Sequence, residues 1–173
     1  MRILVTGGAG FIASNLTEAL LRDGHFVISA DNFLLGKREH IQQFRDNPKF
    51  VFKEVDLLDF KLAVSIFEGV DLVFHLASNS DILEGVKHTD RDMRVGTMVT
   101  YNVLEAIRLN NVKNIVFAST SAVYGVANQI PTKEDYGPLF PISLYGASKV
   151  ACEALISAFC HNFGMKSWIF RFA

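Results

Sequence analysis

The chain has 173 residues, half of them hydrophobic, which is enough for one well-buried globular core. Its 17 basic and 18 acidic side chains give a net charge of −1 and form no long run of like charge. This argues against a protein that binds nucleic acid, or that binds a membrane through a polybasic segment. No apolar run reaches the roughly 18 residues of a membrane span, and the N-terminus lacks the architecture of a signal peptide, so we expect a cytoplasmic protein with small-molecule partners.

The first pattern along the chain is a βαβ unit with a glycine-rich turn. Apolar runs at residues 3–5 and 26–30 predict two strands, and a helix is expected to open near Phe11. Gly7 allows a tight turn after the first strand, and Gly10 has no Cβ to keep a pyrophosphate from the backbone. The helix start points free N–H groups and a positive dipole end at the phosphates. An ordinary turn would explain the glycines alone, but the complete unit favours a dinucleotide site.

Asp31 stands at the carboxyl end of the second predicted strand. A carboxylate about 20 residues past the glycines accepts hydrogen bonds from both hydroxyls of an adenosine ribose. A 2′-phosphate at the same place would meet like charge. The pattern therefore predicts NAD, rather than NADP, as the cofactor.

Apolar strand-like runs alternate with segments of helical period along the rest of the chain, which indicates an α/β fold. Right-handed crossovers favour a doubly wound parallel sheet, a Rossmann fold, with six strands in the order 3-2-1-4-5-6 and helices on both faces. The further strands are expected at 50–55, 71–77, 115–119 and 167–172, and the further helices at 62–67, 92–109 and 143–163.

The clearest chemical pattern is Tyr145 followed four residues later by Lys149. On a helix these positions share a face, so the ammonium group and the charge of an oxidised nicotinamide would favour the phenolate form of Tyr145 and make it a general base. Thr120 is expected to donate a hydrogen bond to the same substrate oxygen. The alternative is that Tyr145 and Lys149 are an ordinary exposed pair on a helix. Their position on the helix after the fifth strand of a dinucleotide fold argues against this alternative.

These motifs together resemble the NAD-dependent nucleotide-sugar epimerase/dehydratase family, a branch of the extended short-chain dehydrogenase/reductase superfamily. The glycine motif runs from Thr6 to Ile12, and the ribose-binding pair is Asp31 with Asn32. Thr120, Tyr145 and Lys149 match the catalytic residues of the family. The resemblance implies cofactor contacts by Gly7, Gly10, Phe11, Ile12, Asp31, Asn32, Gly36, Asp56, Leu57, Leu76, Ala77, Ser78, Ser119, Tyr145 and Lys149.

The residues after Thr120 discriminate among activities in the family. Dehydratases of the family carry Asp-Glu there, whereas this chain has Ser121 and Ala122. The resemblance therefore implies a 4-epimerase of UDP-glucose/UDP-galactose type that works through a transient 4-keto sugar. A dehydratase, decarboxylase or reductase of the same family is an alternative, and so is a non-catalytic NAD-binding module.

Members of the family are longer than this chain. We therefore expect residues 1–173 to form the NAD-binding domain, with the C-terminal substrate domain of the family absent. Substrate contacts are implied for Ser78, Thr120 and Phe172. The resemblance also implies a homodimer through the two long helices, which the largely apolar stretch 150–159 supports. Cys152 and Cys160 lie too far apart on one helix for a disulfide, and the scattered histidines predict no metal site.

Overall fold

A parallel sheet forms the centre of the computed structural model, which describes residues 1–173. The strand order is β3-β2-β1-β4-β5-β6 and all five pairings are parallel, which confirms the predicted doubly wound Rossmann topology. This order places β1 and β4 at the middle of the sheet, and the strand order reverses between them, which opens a crevice at their carboxyl ends. The strands are β1 Arg2–Thr6, β2 Phe26–Asp31, β3 Phe50–Glu54, β4 Leu72–His75, β5 Asn114–Thr120 and β6 Lys166–Phe172.

Helices connect the strands and cover both faces of the sheet. Two of these helices, Glu39–Gln42 and Ile82–Lys87, were not predicted, because segments of fewer than two turns are too short to show a helical period. No helix combines the length and the apolar character that crossing a bilayer requires. The α-helices are α1 Phe11–Arg22, α2 Glu39–Gln42, α3 Phe60–Ala63, α4 Ile82–Lys87, α5 Val99–Leu109 and α6 Leu144–Phe163, with 3₁₀ turns at Val64–Phe67 and Ser121–Tyr124.

The predicted helix at 92–109 has the expected extent but a different geometry at its start. Met93–Met98 is π-helical, and regular α-helix begins only at Val99. Gly96 allows this segment to pack closely on α6, since a Cβ at this position would collide with the Ser148 hydroxyl. Wide turns of this kind are frequent at functional sites.

The ends of α6 follow from single residues. The Ser143 hydroxyl accepts a hydrogen bond from the Gly146 N–H at 3.0 Å and caps the first turn. Gly164 ends the helix in the left-handed conformation, with φ of 62°. These two signals fix the register of the helix that carries Tyr145 and Lys149.

The core consists of two layers on opposite faces of the sheet. The larger layer packs α5 and α6 against the central strands and includes Leu104, Phe117 and Ile156. The smaller layer packs α1 against β1 and β2. On that second face the edge strand β6 is uncovered, and Trp168 and Phe170 are 48% and 52% exposed.

Removing a core side chain tests this packing. Leu104 on α5 is 0% exposed, so Leu104→Ala is expected to lower the free energy of unfolding by about 2–5 kcal/mol. Urea denaturation followed by circular dichroism measures the change. Leu83→Ala is the matched control, because Leu83 is 74% exposed and its truncation should cost little. Equal losses for the two variants would contradict the described core.

Candidate functional site

A cavity of about 850 Å³ opens at the carboxyl ends of the parallel strands. The ends of β1, β2, β4 and β5 line it together with the first turn of α1 and one face of α6. Every residue predicted as cofactor-binding, catalytic or substrate-binding lies in this lining, although the role of each stays a prediction. They are Gly7, Gly10, Phe11, Ile12, Asp31, Asn32, Gly36, Asp56, Leu57, Leu76, Ala77, Ser78, Ser119, Thr120, Tyr145, Lys149 and Phe172.

The turn between β1 and α1 has the geometry of a phosphate cradle. Gly7 has a φ of 68°, and a Cβ on it would lie only 2.7 Å from the Ala77 backbone nitrogen, so glycine is required. The Gly10 N–H donates to the Gly7 carbonyl at 2.9 Å, which closes the turn. Helix α1 then begins at Phe11 with no side-chain cap, which leaves its first N–H groups available to an anion.

Asp31 is held against this turn by two backbone hydrogen bonds. Its Oδ2 accepts from the Ala9 N–H at 3.0 Å, and its Oδ1 accepts from the Phe33 N–H at 2.7 Å. Each carboxylate oxygen has a second acceptor position, so both ribose hydroxyls can still bind. A Cβ on Gly36 would lie 2.9 Å from either carboxylate oxygen, so this glycine keeps the approach to Asp31 open.

The far end of the cavity is fixed by α5. Asp56 accepts a hydrogen bond from the Leu58 N–H at 2.9 Å and turns the chain after β3. The Asn102 amide donates to the Leu57 carbonyl at 2.8 Å. This segment is therefore a rigid wall at the place where the sequence predicts the adenine.

A buried histidine holds β4 to its neighbours. His75 is 0% exposed, with Nδ1 2.7 Å from the Thr6 hydroxyl and Nε2 3.0 Å from the Thr100 hydroxyl. Burial, assisted by the positive charge of Lys149, lowers the pKa of His75 to about 3, so the ring is neutral. Since Thr6 also accepts the Ala77 N–H at 3.3 Å, this network positions the segment after β4 beside the glycine turn.

The catalytic candidates meet at the other end of the cavity. Thr120 is among the groups that act on the pKa of the Tyr145 phenol, so the two side chains lie close together, and the Thr120 hydroxyl accepts the Ala122 N–H at 3.2 Å. The Lys149 ammonium donates to the Ala118 carbonyl at 2.6 Å and lies 5.7 Å from the centre of the Tyr145 ring. Strand β5 and helix α6 therefore bring the three predicted residues together.

The electrostatics of Tyr145 differ from the expectation. Burial raises the pKa of Tyr145, the hydrogen bond from Thr120 opposes that rise, and the negative charge of Asp92 adds to it. Burial also lowers the pKa of Lys149 to about 8. Lys149 therefore does not make Tyr145 acidic by itself, because burial is the largest effect on the phenol and it raises the pKa.

A charged cluster that the sequence analysis missed lies behind the catalytic residues. Arg171 makes two hydrogen bonds to Glu153, at 3.1 and 2.7 Å, and the Ser119 hydroxyl donates to the same carboxylate at 2.5 Å. Arg171 also donates to the Glu134 carbonyl at 2.9 Å. The spacing of Glu153 four residues after Lys149 was the available signal. The cluster joins α6, β5, β6 and the loop before α6.

The sequence profile of the NAD dependent epimerase/dehydratase family matches residues 3–173. The chain therefore belongs to the NAD dependent epimerase/dehydratase family. Its cofactor is NAD, and the glycine turn, the free N-terminus of α1 and the acceptor positions of Asp31 fit that dinucleotide.

Relatives in the family carry several activities. The chain is 36% identical over 173 residues to the putative UDP-glucose 4-epimerase of Methanocaldococcus jannaschii and 37% identical over 161 residues to the UDP-glucose 4-epimerase of Mycolicibacterium smegmatis. These alignments cover 99% and 92% of this chain but 55% and 51% of the relatives, so the chain spans about half the length of the curated relatives it matches. It is also 33% identical to a GDP-mannose 3,5-epimerase of Arabidopsis thaliana, with 99% and 46% of the two chains covered.

Solved structures show the same fold. The UDP-glucose 4-epimerase of Thermus thermophilus, in complex with NAD, matches with a TM-score of 0.90 and 36% identity. The UDP-glucose 4-epimerase of Thermotoga maritima, with UDP-glucose, matches with a TM-score of 0.92 and 32% identity. Each match covers 99% of this chain and 54% or 55% of the other.

Burial of Lys149 predicts a cost in stability. Its pKa falls from 10.5 to about 8 on folding, so the unfolded chain binds more protons between those values. The penalty is complete below pH 8 and disappears as the pH rises toward 10.5. Lys149→Met is therefore expected to raise the free energy of unfolding at pH 7 by roughly 2 kcal/mol, after allowing for the lost hydrogen bond.

Urea denaturation at several pH values measures this effect. Lys61→Met, at an exposed lysine of α3, is the control and should change stability little. The gap between Lys149→Met and the wild-type chain should shrink between pH 8 and 10.5. A Lys149→Met variant less stable than wild type at pH 7 would show that the hydrogen bond to Ala118 outweighs the desolvation.

Asp31 predicts selectivity for NAD over NADP, because a 2′-phosphate would meet its carboxylate. Calorimetric titration of both cofactors should give tighter binding of NAD, and Asp31→Ala should narrow that ratio by about tenfold or more. Asp59→Ala is the control, since Asp59 caps α3 outside the cavity lining. Equal affinities of the wild-type chain for NAD and NADP would contradict the role of Asp31.

Proposed function

We propose that this chain forms the NAD-binding and acid–base part of a nucleotide-sugar 4-epimerase that interconverts UDP-glucose and UDP-galactose. The observation that carries the proposal is that Thr120, Tyr145 and Lys149 lie close together in the lining of the same cavity that contains the dinucleotide cradle. The named activities of the relatives support the same reaction.

The proposed role of Tyr145 is to accept the proton of the sugar 4-hydroxyl. NAD, when bound, would accept the hydride from C4 of the sugar and return it to the opposite face of the 4-keto sugar, and it would place a positive charge near the phenol. Thr120 holds the same sugar oxygen, and the Lys149 ammonium group favours the phenolate once that charge is present. After the 4-keto sugar has presented its opposite face, Tyr145 returns the proton to the oxygen of the epimer.

The acidic groups of the cavity support an epimerase over a dehydratase. Elimination of water needs an acid and a base beyond the tyrosine, and Ser121 and Ala122 follow Thr120 here. Among the residues that line the cavity, only Asp31 and Asp56 are acidic, and both lie at the ribose and adenine end. Glu153 is occupied by Arg171 and Ser119.

We propose that some of the sugar-binding contacts come from a region equivalent to the other half of the longer relatives. We also propose a homodimer through the outer faces of α6 and of α5 with the π-helical turn before it, where Met98 and Tyr101 are 45% and 42% exposed and Ala147, Ala154 and Ala158 are exposed. The cytoplasmic location stays a prediction.

The proposal predicts that the 173-residue chain binds NAD but epimerises UDP-galactose far more slowly than a longer chain. Orienting a substrate beside its catalytic groups is worth about 7–11 kcal/mol of barrier, and part of that orientation would be missing. Calorimetry measures NAD binding, and a coupled assay measures epimerisation by this chain and by a fusion to the remaining half of the Methanocaldococcus jannaschii relative.

Tyr145→Phe in the fusion should abolish epimerisation without loss of NAD binding, and Tyr136→Phe, at a residue outside the cavity lining, should not. A fusion that binds NAD but dehydrates or decarboxylates nucleotide-sugars would overturn the 4-epimerase assignment. Turnover by the short chain at the rate of the fusion would contradict the proposed need for the additional contacts.

A further inference from the structure

A buried carboxylate lies at the start of the long helix and has no role in the reaction described above. Asp92 is 2% exposed, and its Oδ1 accepts a hydrogen bond from the Asn79 side-chain amide at 3.0 Å. Its Oδ2 is buried and has no hydrogen-bond partner. An unpartnered buried carboxylate oxygen is costly, so its retention calls for a physical explanation.

Asn79 connects this carboxylate to the wall of the cavity. Asn79 is fully buried; its amide nitrogen also donates to the Asp81 carbonyl at 2.8 Å, and its amide oxygen accepts the Asp81 N–H at 3.1 Å. These bonds fold the segment that follows β4. Ser78 and Ser80, on either side of Asn79, line the cavity.

Two glycines allow close packing around the helix start that carries Asp92. A Cβ on Gly85 of α4 would collide with the Asp92 Oδ2. A Cβ on Gly96 would collide with the Ser148 hydroxyl, which lies between Tyr145 and Lys149 on α6. The helix start that carries Asp92 is thus pressed against the turn of α6 that carries the catalytic pair.

The charges around Asp92 leave its carboxylate without a cation. Neighbouring Arg91 pairs with Glu84 of α4 at 3.4 Å, and Asp90 pairs with Arg94 at 3.6 Å. No ion pair includes Asp92. The groups that act on the pKa of the Tyr145 phenol are Thr120 from β5, Cys152 from α6 and Asp92, and the Lys149 ammonium lies 5.7 Å from the centre of the Tyr145 ring.

We propose that Asp92 is a positioning residue with two effects: through Asn79 it fixes the segment 78–81 at the cavity wall, and its carboxylate, held at the helix start that packs on the turn of α6 with Tyr145 and Lys149, acts on the phenol through its charge. The inference rests on the proposed function and deepens it, since it assigns a second acidic group to the environment of the proposed base. The negative charge of Asp92 is among the causes that raise the pKa of Tyr145, after burial.

Nuclear magnetic resonance of tyrosine labelled at the ring Cζ tests the charge effect in the full chain without requiring turnover. The chain has four tyrosines, and Tyr145→Phe assigns the signal of interest. Asp92→Asn keeps the shape and removes the charge, so the Tyr145 midpoint should move to lower pH. Asp90→Asn, at an exposed position, is the matched control and should leave the midpoint unchanged.

Asn79→Ala separates the two effects. It keeps the charge of Asp92, so the Tyr145 midpoint should stay closer to that of wild type than in Asp92→Asn, while NAD affinity should fall because the segment 78–81 loses its anchor. Asp92→Ser serves as a second neutral variant if Asp92→Asn does not fold. A Tyr145 midpoint unchanged in a folded neutral variant, or unchanged NAD affinity in Asn79→Ala, would overturn the inference, and neither result bears on whether the fusion is an epimerase.

Discussion

One buried ammonium group holds the active end of this molecule together. Lys149 is 3% exposed, donates to the Ala118 carbonyl at 2.6 Å and lies 4.6 Å from the centre of the Phe117 ring. Those contacts fix α6 on the end of β5. Because Tyr145 lies one turn earlier on the same helix, its phenol meets the Thr120 hydroxyl at the end of the same strand. The position of the proposed base therefore depends on a lysine whose charged form is destabilised by burial.

The same burial sets the protonation states in the site. Desolvation opposes charge on Tyr145, Lys149 and His75, so it raises the pKa of the phenol and lowers the pKa values of the other two. The negative charge of Asp92 also raises the pKa of the Tyr145 phenol. Among the protein's own groups the balance favours a neutral tyrosine. In the proposed reaction the positive charge of the bound oxidised cofactor would therefore favour the phenolate and complete the base.

Much of the fold was predictable because apolar periodicity and glycine geometry are local signals. The six strands, their order and the cradle from Gly7 to Asp31 follow from those signals. The π-helical start of the long helix, the Asn79–Asp92 pair and the Glu153–Arg171 cluster were not predicted, since each exists only through contacts between residues distant in the chain. The raised pKa of Tyr145 was not predicted either, because burial depth cannot be read from a four-residue spacing.

The glycine turn and the pair formed by Tyr145 and Lys149 line the same cavity and are proposed to belong to one dinucleotide site. Amide chemical-shift mapping of the isotope-labelled chain during titration with NAD tests it most directly, with AMP as the comparison ligand. The expected result is that NAD shifts the amides of Gly7, Gly10, Thr120 and Tyr145 with one common affinity, whereas AMP shifts only those near Asp31 and Asp56. Shifts confined to the Asp31 end with NAD as well would contradict the claim.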